Sequence, residues 1–321
     1  MLSPGFLWPR TGLREVASRR PLCLVLSSGT AMKHAVYAPI FNDYGEPDRL
    51  IELAVASEDA GYDGFFIWDH LAFEPAGQLE LVDATIMLGA IAQATGRIRL
   101  GAMITPLARR RPWKFARELV TLDRLSRGRI TIGVGLGEPA EIEFAAFGED
   151  PRAQTRAARL DEGLDIVDRL MRGETVNHSG EYYTVRDTRF SPPALQQPRV
   201  PVWVAASLPA RAGLRRAARW DGVIPVRIPP DFGADVNASI DWSRWWLDSA
   251  EFTAMVAYVE SLRGSGSFDY VASGRLGEAG CRGESIDTFE RAGATWWCEW
   301  VDETPGTFAN SLAAVSRGPI D

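Results

Sequence analysis

A chain of 321 residues, 46% hydrophobic and 24% charged, holds enough apolar material for a sizeable core, as two average domains or one large α/β domain. Its net charge of −7 argues against the basic stripe of a nucleic-acid binder, and no apolar run approaches the roughly 20 residues that span a bilayer. The three cysteines, Cys23, Cys281 and Cys298, form no CxxC pair, which suits a reducing cytoplasm.

Residues 1–31 contain Pro4, Pro9, Pro21 and scattered arginines, without sustained periodicity. Arg19-Arg20 ahead of Leu22-Cys23-Leu24-Val25-Leu26 resembles a twin-arginine leader, but the apolar part is too short. The expectation is a disordered or non-native extension over 1–31 and one domain over 32–321.

From Lys33 the pattern becomes regular. Strands are expected over 34–39, 64–68, 98–105, 129–135, 202–206, 222–225, 268–272 and 295–300. Each precedes a helix, over 48–60, 83–95, 112–125, 154–171, 209–219, 251–263, 285–292 and 307–316. Eight such alternations predict a parallel (β/α)8 barrel of the TIM type. Asp48 and Asp83 are candidate N-caps, Pro112 suits a first helical turn, and Gly128 and Gly173 suit helix ends. Two insertions break the rhythm. Residues 173–200, after the fourth helix, read as a hairpin turning at Ser179-Gly180; residues 227–250, after the sixth strand, read as a long loop.

The chemistry is expected at the carboxyl ends of the strands. Gly64-Phe65-Phe66-Ile67-Trp68 is an apolar run that ends in Asp69-His70. His70 is the one of three histidines at such an end, and imidazole suits proton transfer near neutral pH. Gly101 lies inside the third strand, either marking a bulge or a close backbone approach to a ligand or incidental to a core strand; Thr105 stands at that strand's exit. Arg109-Arg110-Arg111 precedes a helix, where cations oppose the macrodipole. The cluster therefore needs an anion nearby, or else forms a solvated basic loop.

Gly133-Val134-Gly135-Leu136-Gly137-Glu138 fails as a dinucleotide fingerprint because Glu138 occupies the third glycine position; its glycines suit a flat ring lying against backbone. Ser207, the helix N–H groups after it and Arg211 form one candidate anion site, or Ser207 simply caps the helix, and Ser273-Gly274-Arg275 forms a second anion site. There is no HExxH, no Cys/His cluster and no GxSxG elbow, so no metal site is expected. A glycosidase would pair Glu138 with a second carboxylate, and Glu299 is a poor substitute for one.

Several segments together carry a family resemblance. They are Asp63-Gly64-Phe65-Phe66-Ile67-Trp68-Asp69-His70, Arg97-Ile98-Arg99-Leu100-Gly101 and Arg111-Pro112-Trp113-Lys114-Phe115-Ala116-Arg117-Glu118. Leu122-Asp123-Arg124-Leu125-Ser126-Arg127-Gly128-Arg129, Glu143-Phe144 with Phe147-Gly148, Arg159-Leu160-Asp161-Glu162-Gly163-Leu164, Asp221-Gly222-Val223 and Ala292-Gly293-Ala294-Thr295-Trp296-Trp297 continue the set. In order and spacing, over about residues 33–300, the chain resembles the bacterial-luciferase-like flavin-dependent oxidoreductases.

The resemblance implies the same barrel and a flavin at the carboxyl ends. His70, with Asp69, would work beside the reacting ring. By position Thr105 would lie near the ring, Ser207 would bind the phosphate, and the Met103–Ile104 peptide would be cis; with the residues read above, the candidate cofactor-binding set is Met103, Thr105, Gly135, Ser207, Arg211, Ser273 and Gly274. The activity implied is a two-component monooxygenase using oxygen and reduced FMN supplied by a separate flavin reductase. One alternative is hydride transfer with a deazaflavin coenzyme, His70 acting as base on an alcohol. Another is a non-catalytic flavin-binding protein. A small-molecule substrate and a cytoplasmic location are expected, and a homodimer is compatible with this reading.

Overall fold

Eight short apolar segments supply the strands of one sheet, and their alternation with helices winds it into a barrel. In this computed structural model, residues 31–73, 79–229 and 242–320 are described. The strands are β1 Lys33–Ala38, β2 Gly64–Ile67, β3 Arg99–Ala102, β4 Ile132–Gly135, β5 Val202–Leu208, β6 Gly222–Arg227, β7 Asp269–Arg275 and β8 Trp296–Trp300. Every pairing within the sheet is parallel, in the order β3-β2-β1-β8-β7-β6-β5-β4. A two-residue continuation of β3, Thr105–Pro106, pairs with β4, and Leu100 bridges Ile130. These two contacts join the ends of the sheet, so the predicted TIM barrel is observed. The Met103–Ile104 peptide at the break in β3 is cis, as the resemblance implied.

The helices are α1 Pro47–Asp59, α2 Ala84–Ala94, α3 Pro112–Leu125, α4 Ala153–Met171, α5 Ala212–Ala217, α6 Ser249–Glu260, α7 Ile286–Arg291 and α8 Phe308–Val315. Asp83 caps α2 by accepting the Ile86 N–H at 2.8 Å, and Pro112 opens α3. Asp48 is not a cap: α1 already begins at Pro47, behind Glu46. The fifth helix is shorter than expected. It starts at Ala212 rather than 209, with Arg211 in the cap position, so Ser207 lies in the strand and caps nothing. The insertion after α4 is an antiparallel hairpin, Thr175–Ser179 with Thr184–Arg189, reversing through 180–183. Of the 227–250 loop, 230–241 fall outside the described residues, and the 1–31 extension does so except for Ala31.

The barrel is plugged near its amino end by Phe66, Trp203 and Trp296, whose ring centroids lie 5.2–6.0 Å apart. Both indole N–H groups donate to Asp269, at 3.1 and 3.0 Å, so the two large apolar bodies bury no orphan donor. Truncating a buried ring of this kind costs about 3–5 kcal/mol. Gly101 is explained by packing, not by a ligand. A Cβ there would stand 1.8 Å from the Thr131 carbonyl oxygen, where β3 closes on the approach to β4. Among the described residues no helix is long and apolar enough to cross a membrane.

Candidate active site

With the amino end plugged, the open space lies at the other end. A cavity of about 420 Å³ is lined from every strand: Tyr37 of β1, Trp68 and His70 past β2, and Met103 and Ile104 past β3. Gly135 of β4, Ser207 of β5, Ile224 of β6, Ser273 of β7 and Trp300 of β8 complete the ring. Rotation of each strand's side chains with period two decides which predicted residues face it. Ile104 and Pro106 face the cavity, so Thr105 between them turns away and is buried against β4. Ser273 faces it, so Gly274 points outward, where a Cβ would meet Trp297 at 2.3 Å.

Of the predicted site residues, Asp69, His70, Met103, Gly135, Ser207 and Ser273 therefore line one cavity, and Thr105, Arg211 and Gly274 do not. The Arg211 guanidinium lies over the Tyr258 ring, 4.6 Å from its centroid. The anion site expected from Ser207, a helix start and Arg211 is not assembled. Gly135 leaves space that Ile104 fills, its methyl 2.6 Å from where a Cβ would be, so this glycine serves packing of the wall rather than direct approach of a ring.

Behind His70 stands a charge cluster that the sequence reading only half anticipated. The His70 Nδ1 lies 3.0 Å from Glu143 Oε1, and the Leu71 N–H donates to the same oxygen at 3.2 Å. Arg109 forms an ion pair with the other oxygen of Glu143, and donates to Asp69 Oδ1 at 2.5 Å. Arg110 grips Asp69 through both carboxylate oxygens at 2.8 and 2.9 Å. Asp69, Glu143 and Arg109 are each no more than 3% exposed. Two anions and two cations thus neutralise one another out of water, as buried charges must.

The solvated-loop reading of Arg109 and Arg110 is overturned, and the anions their position called for are Asp69 and Glu143. The two oxygens of Asp69 are occupied by two guanidinium groups, those of Arg109 and Arg110.

Burial favours the neutral form of the His70 ring. Burial pushes its pKa down to about 4, Arg109 adds to the depression and Asp69 opposes it. The Glu143 carboxylate, paired with Arg109, can only accept, so in the neutral imidazole Nδ1 is the nitrogen that donates. Nε2 then keeps the lone pair.

Other polar wall residues are Glu138, Gln154 and Arg216. Glu138 is held 3.0 Å from Arg156, and Arg216 binds both oxygens of Asp161 at 2.7 and 2.8 Å. Glu299 does not line the cavity. It is fully buried, accepting from Tyr62 at 3.3 Å and the Gly277 N–H at 3.2 Å. Among the described residues no group of three or more His, Cys, Asp or Glu is gathered to hold a metal ion.

A family model described as luciferase-like monooxygenase matches residues 32–257, and the chain belongs to that family. A relative named F420-dependent glucose-6-phosphate dehydrogenase, from Microbacterium testaceum, is 35% identical over 170 residues, 52% of this chain and 49% of the relative. One of the same name from Nakamurella multipartita is 36% identical over 171 residues, again 52% and 49%. The chain therefore matches about half the length of these curated relatives. A solved F420-dependent secondary alcohol dehydrogenase, in complex with an F420-acetone adduct, superposes with a TM-score of 0.68 over 90% of this chain and 100% of that one. At 15% identity that likeness speaks to the fold alone.

These relatives overturn the expected FMN monooxygenase. Coenzyme F420 is a deazaflavin, and the named activity is a dehydrogenase that incorporates no oxygen. The residues behind the expectation, Asp69-His70 and the strand ends, read as a proton-handling group beside a flat ring. Either chemistry needs that, so they could not separate the two.

Proposed function

We propose that this luciferase-like chain is a deazaflavin-dependent oxidoreductase, moving a hydride between the coenzyme and a carbon that carries a hydroxyl. The observation that carries the reading is the His70–Glu143 contact at 3.0 Å on the cavity wall, with the imidazole held neutral. Glu143 accepts the hydrogen bond of the Nδ1 N–H and fixes the tautomer; His70 Nε2 then accepts the proton of the alcohol as its carbon becomes a carbonyl. A deazaflavin supplies the two-electron hydride acceptor when bound. The wall suits such a group: Ser207, Ser273 and Arg216 offer donors to a phosphate, while Met103, Ile104, Ile224 and Val226 offer apolar surface to a ring. The aromatic and aliphatic lining keeps water from the reacting carbon. A separate flavin reductase, expected only as a supplier to a monooxygenase, has no place in this reading.

Titration of the purified protein with oxidised deazaflavin coenzyme and with oxidised and reduced FMN tests it. The deazaflavin is expected to bind and to be reduced when an alcohol substrate is added. Oxygen consumption with reduced FMN, and no affinity for the deazaflavin, overturns it.

A further inference from the structure

The relatives' substrate is a sugar phosphate, and the wall of this cavity is a poor match for one. Beside His70 the lining is aromatic and continuous. Phe73 stands edge-on to the imidazole at 4.9 Å, and Trp68 lies 5.9 Å from Phe73 and 5.9 Å from Trp300. Tyr37 packs at 5.0 Å against Trp300, and its hydroxyl donates to the Met103 carbonyl, so it presents ring rather than donor.

Charge argues the same way. Among the described residues lining the cavity, Arg216 is the one cation, against Asp69 and Glu138. Arg216 sits behind β5, three strands around the barrel from His70, and its Nε and Nη2 are committed to the two oxygens of Asp161. The nearer cations, Arg109 and Arg110, are committed to Asp69 and Glu143. Lys33 and Lys114 are the only lysines in the chain, and neither lines the cavity. In sequence, the internal stretches 74–78 and 230–241 contain no Lys or Arg. A phosphate dianion brought beside His70 would lose its water and gain no cation there.

We infer that the substrate is an uncharged alcohol on a cyclic or aryl skeleton, with the corresponding carbonyl compound in reverse, and not a sugar phosphate. The inference rests on the reading of this cavity as the substrate site of an alcohol oxidoreductase. The reaction balances within it. The carbinol C–H bond breaks and delivers a hydride, with two electrons, to the deazaflavin; the O–H proton passes to His70, and the C=O bond forms. The alcohol is oxidised and the deazaflavin reduced. The ring skeleton would replace water against Phe73, Trp68 and Trp300, an exchange that follows apolar area.

Calorimetric titration of the coenzyme-free full chain tests this directly. The probes are cyclohexanol, cyclohexanone, glucose 6-phosphate and inorganic phosphate. Cyclohexanol and cyclohexanone are expected to bind at least about tenfold more tightly than glucose 6-phosphate, with a negative heat-capacity change marking apolar burial. Trp300→Ala should weaken cyclohexanol binding by about tenfold or more. Should that variant fail to fold by near-ultraviolet circular dichroism, Phe73→Ser provides the same readout at the other side of His70. Glucose 6-phosphate binding as tightly as cyclohexanol overturns the inference, as does an absence of cyclohexanol binding. Because the coenzyme is left out, failure of the deazaflavin reading shows separately, as a protein that binds cyclohexanol but no deazaflavin.

Discussion

His70 and His178 each sit beside a glutamate at almost the same distance, 3.0 Å to Glu143 and 2.9 Å to Glu162. The side chains are also similarly exposed, at 15% and 18%. What differs is everything around the pair. Glu162 takes two further N–H groups, from Tyr182 and Tyr183, and so ties the hairpin that carries His178 down onto α4. Glu143 takes Arg109, which is itself bound to Asp69, and His70 opens onto the cavity. One pair fastens a surface hairpin. The other holds a buried imidazole, its pKa lowered, at a strand end that opens onto the cavity. The contact alone does not make a site; the burial and the charges behind it do.

The largest expected separation between the pairs is kinetic. His70→Ala should lower kcat by about 10² to 10⁴ while deazaflavin binding changes little. His178→Ala should leave kcat unchanged, in steady-state assays of coenzyme reduction. Equal losses in the two variants would erase the distinction.

Stability should separate the glutamates next. Glu143→Gln leaves Arg109 buried with one anion fewer, and removal of a partner from a buried ion cluster costs about 3–5 kcal/mol. Glu162→Gln, at a partly exposed site, should cost about 1 kcal/mol or less. Urea unfolding of both variants against the parent reads the difference.

The pH dependence sharpens the comparison at a smaller scale. The His70 imidazole must be neutral to accept a proton, and its folded pKa lies at about 4. kcat/KM should hold level through the ordinary histidine range and fall only as pH drops through about 4. For stability the sign follows from linkage. Between the unfolded value, about 6.5, and about 4, the unfolded chain binds a proton at this position that the folded chain refuses. Stability is therefore complete above about 6.5 and declines as pH falls towards 4. In His70→Gln that share of the slope should vanish, as thermal unfolding across this range would record.

Much of this molecule could be read along the chain, because the signals are local. Apolar runs such as 64–67, the turn glycines at 128 and 173, the Asp83 cap and Pro112 all act within a few residues, and eight repetitions of strand and helix leave few topologies open. His70 was legible for the same reason: a titratable ring directly past a barrel strand faces the mouth wherever the exact register falls. Glu143 was not. It stands 73 residues from His70, in a single helical turn, and only closure of the barrel brings the two together. The arginines at 109–111 announced that an anion was needed but could not say which.

Thr105 and Gly274 failed for a more exact reason. In a strand a one-residue error turns a side chain from the cavity to the opposite face, and sequence spacing does not carry that precision. The chain by itself thus determined the barrel, its family and the histidine. The tertiary structure decided which charges cancel, which strand residues face inward and that aromatic rings, with one paired arginine, line the site, because each of these depends on contacts between segments far apart in sequence.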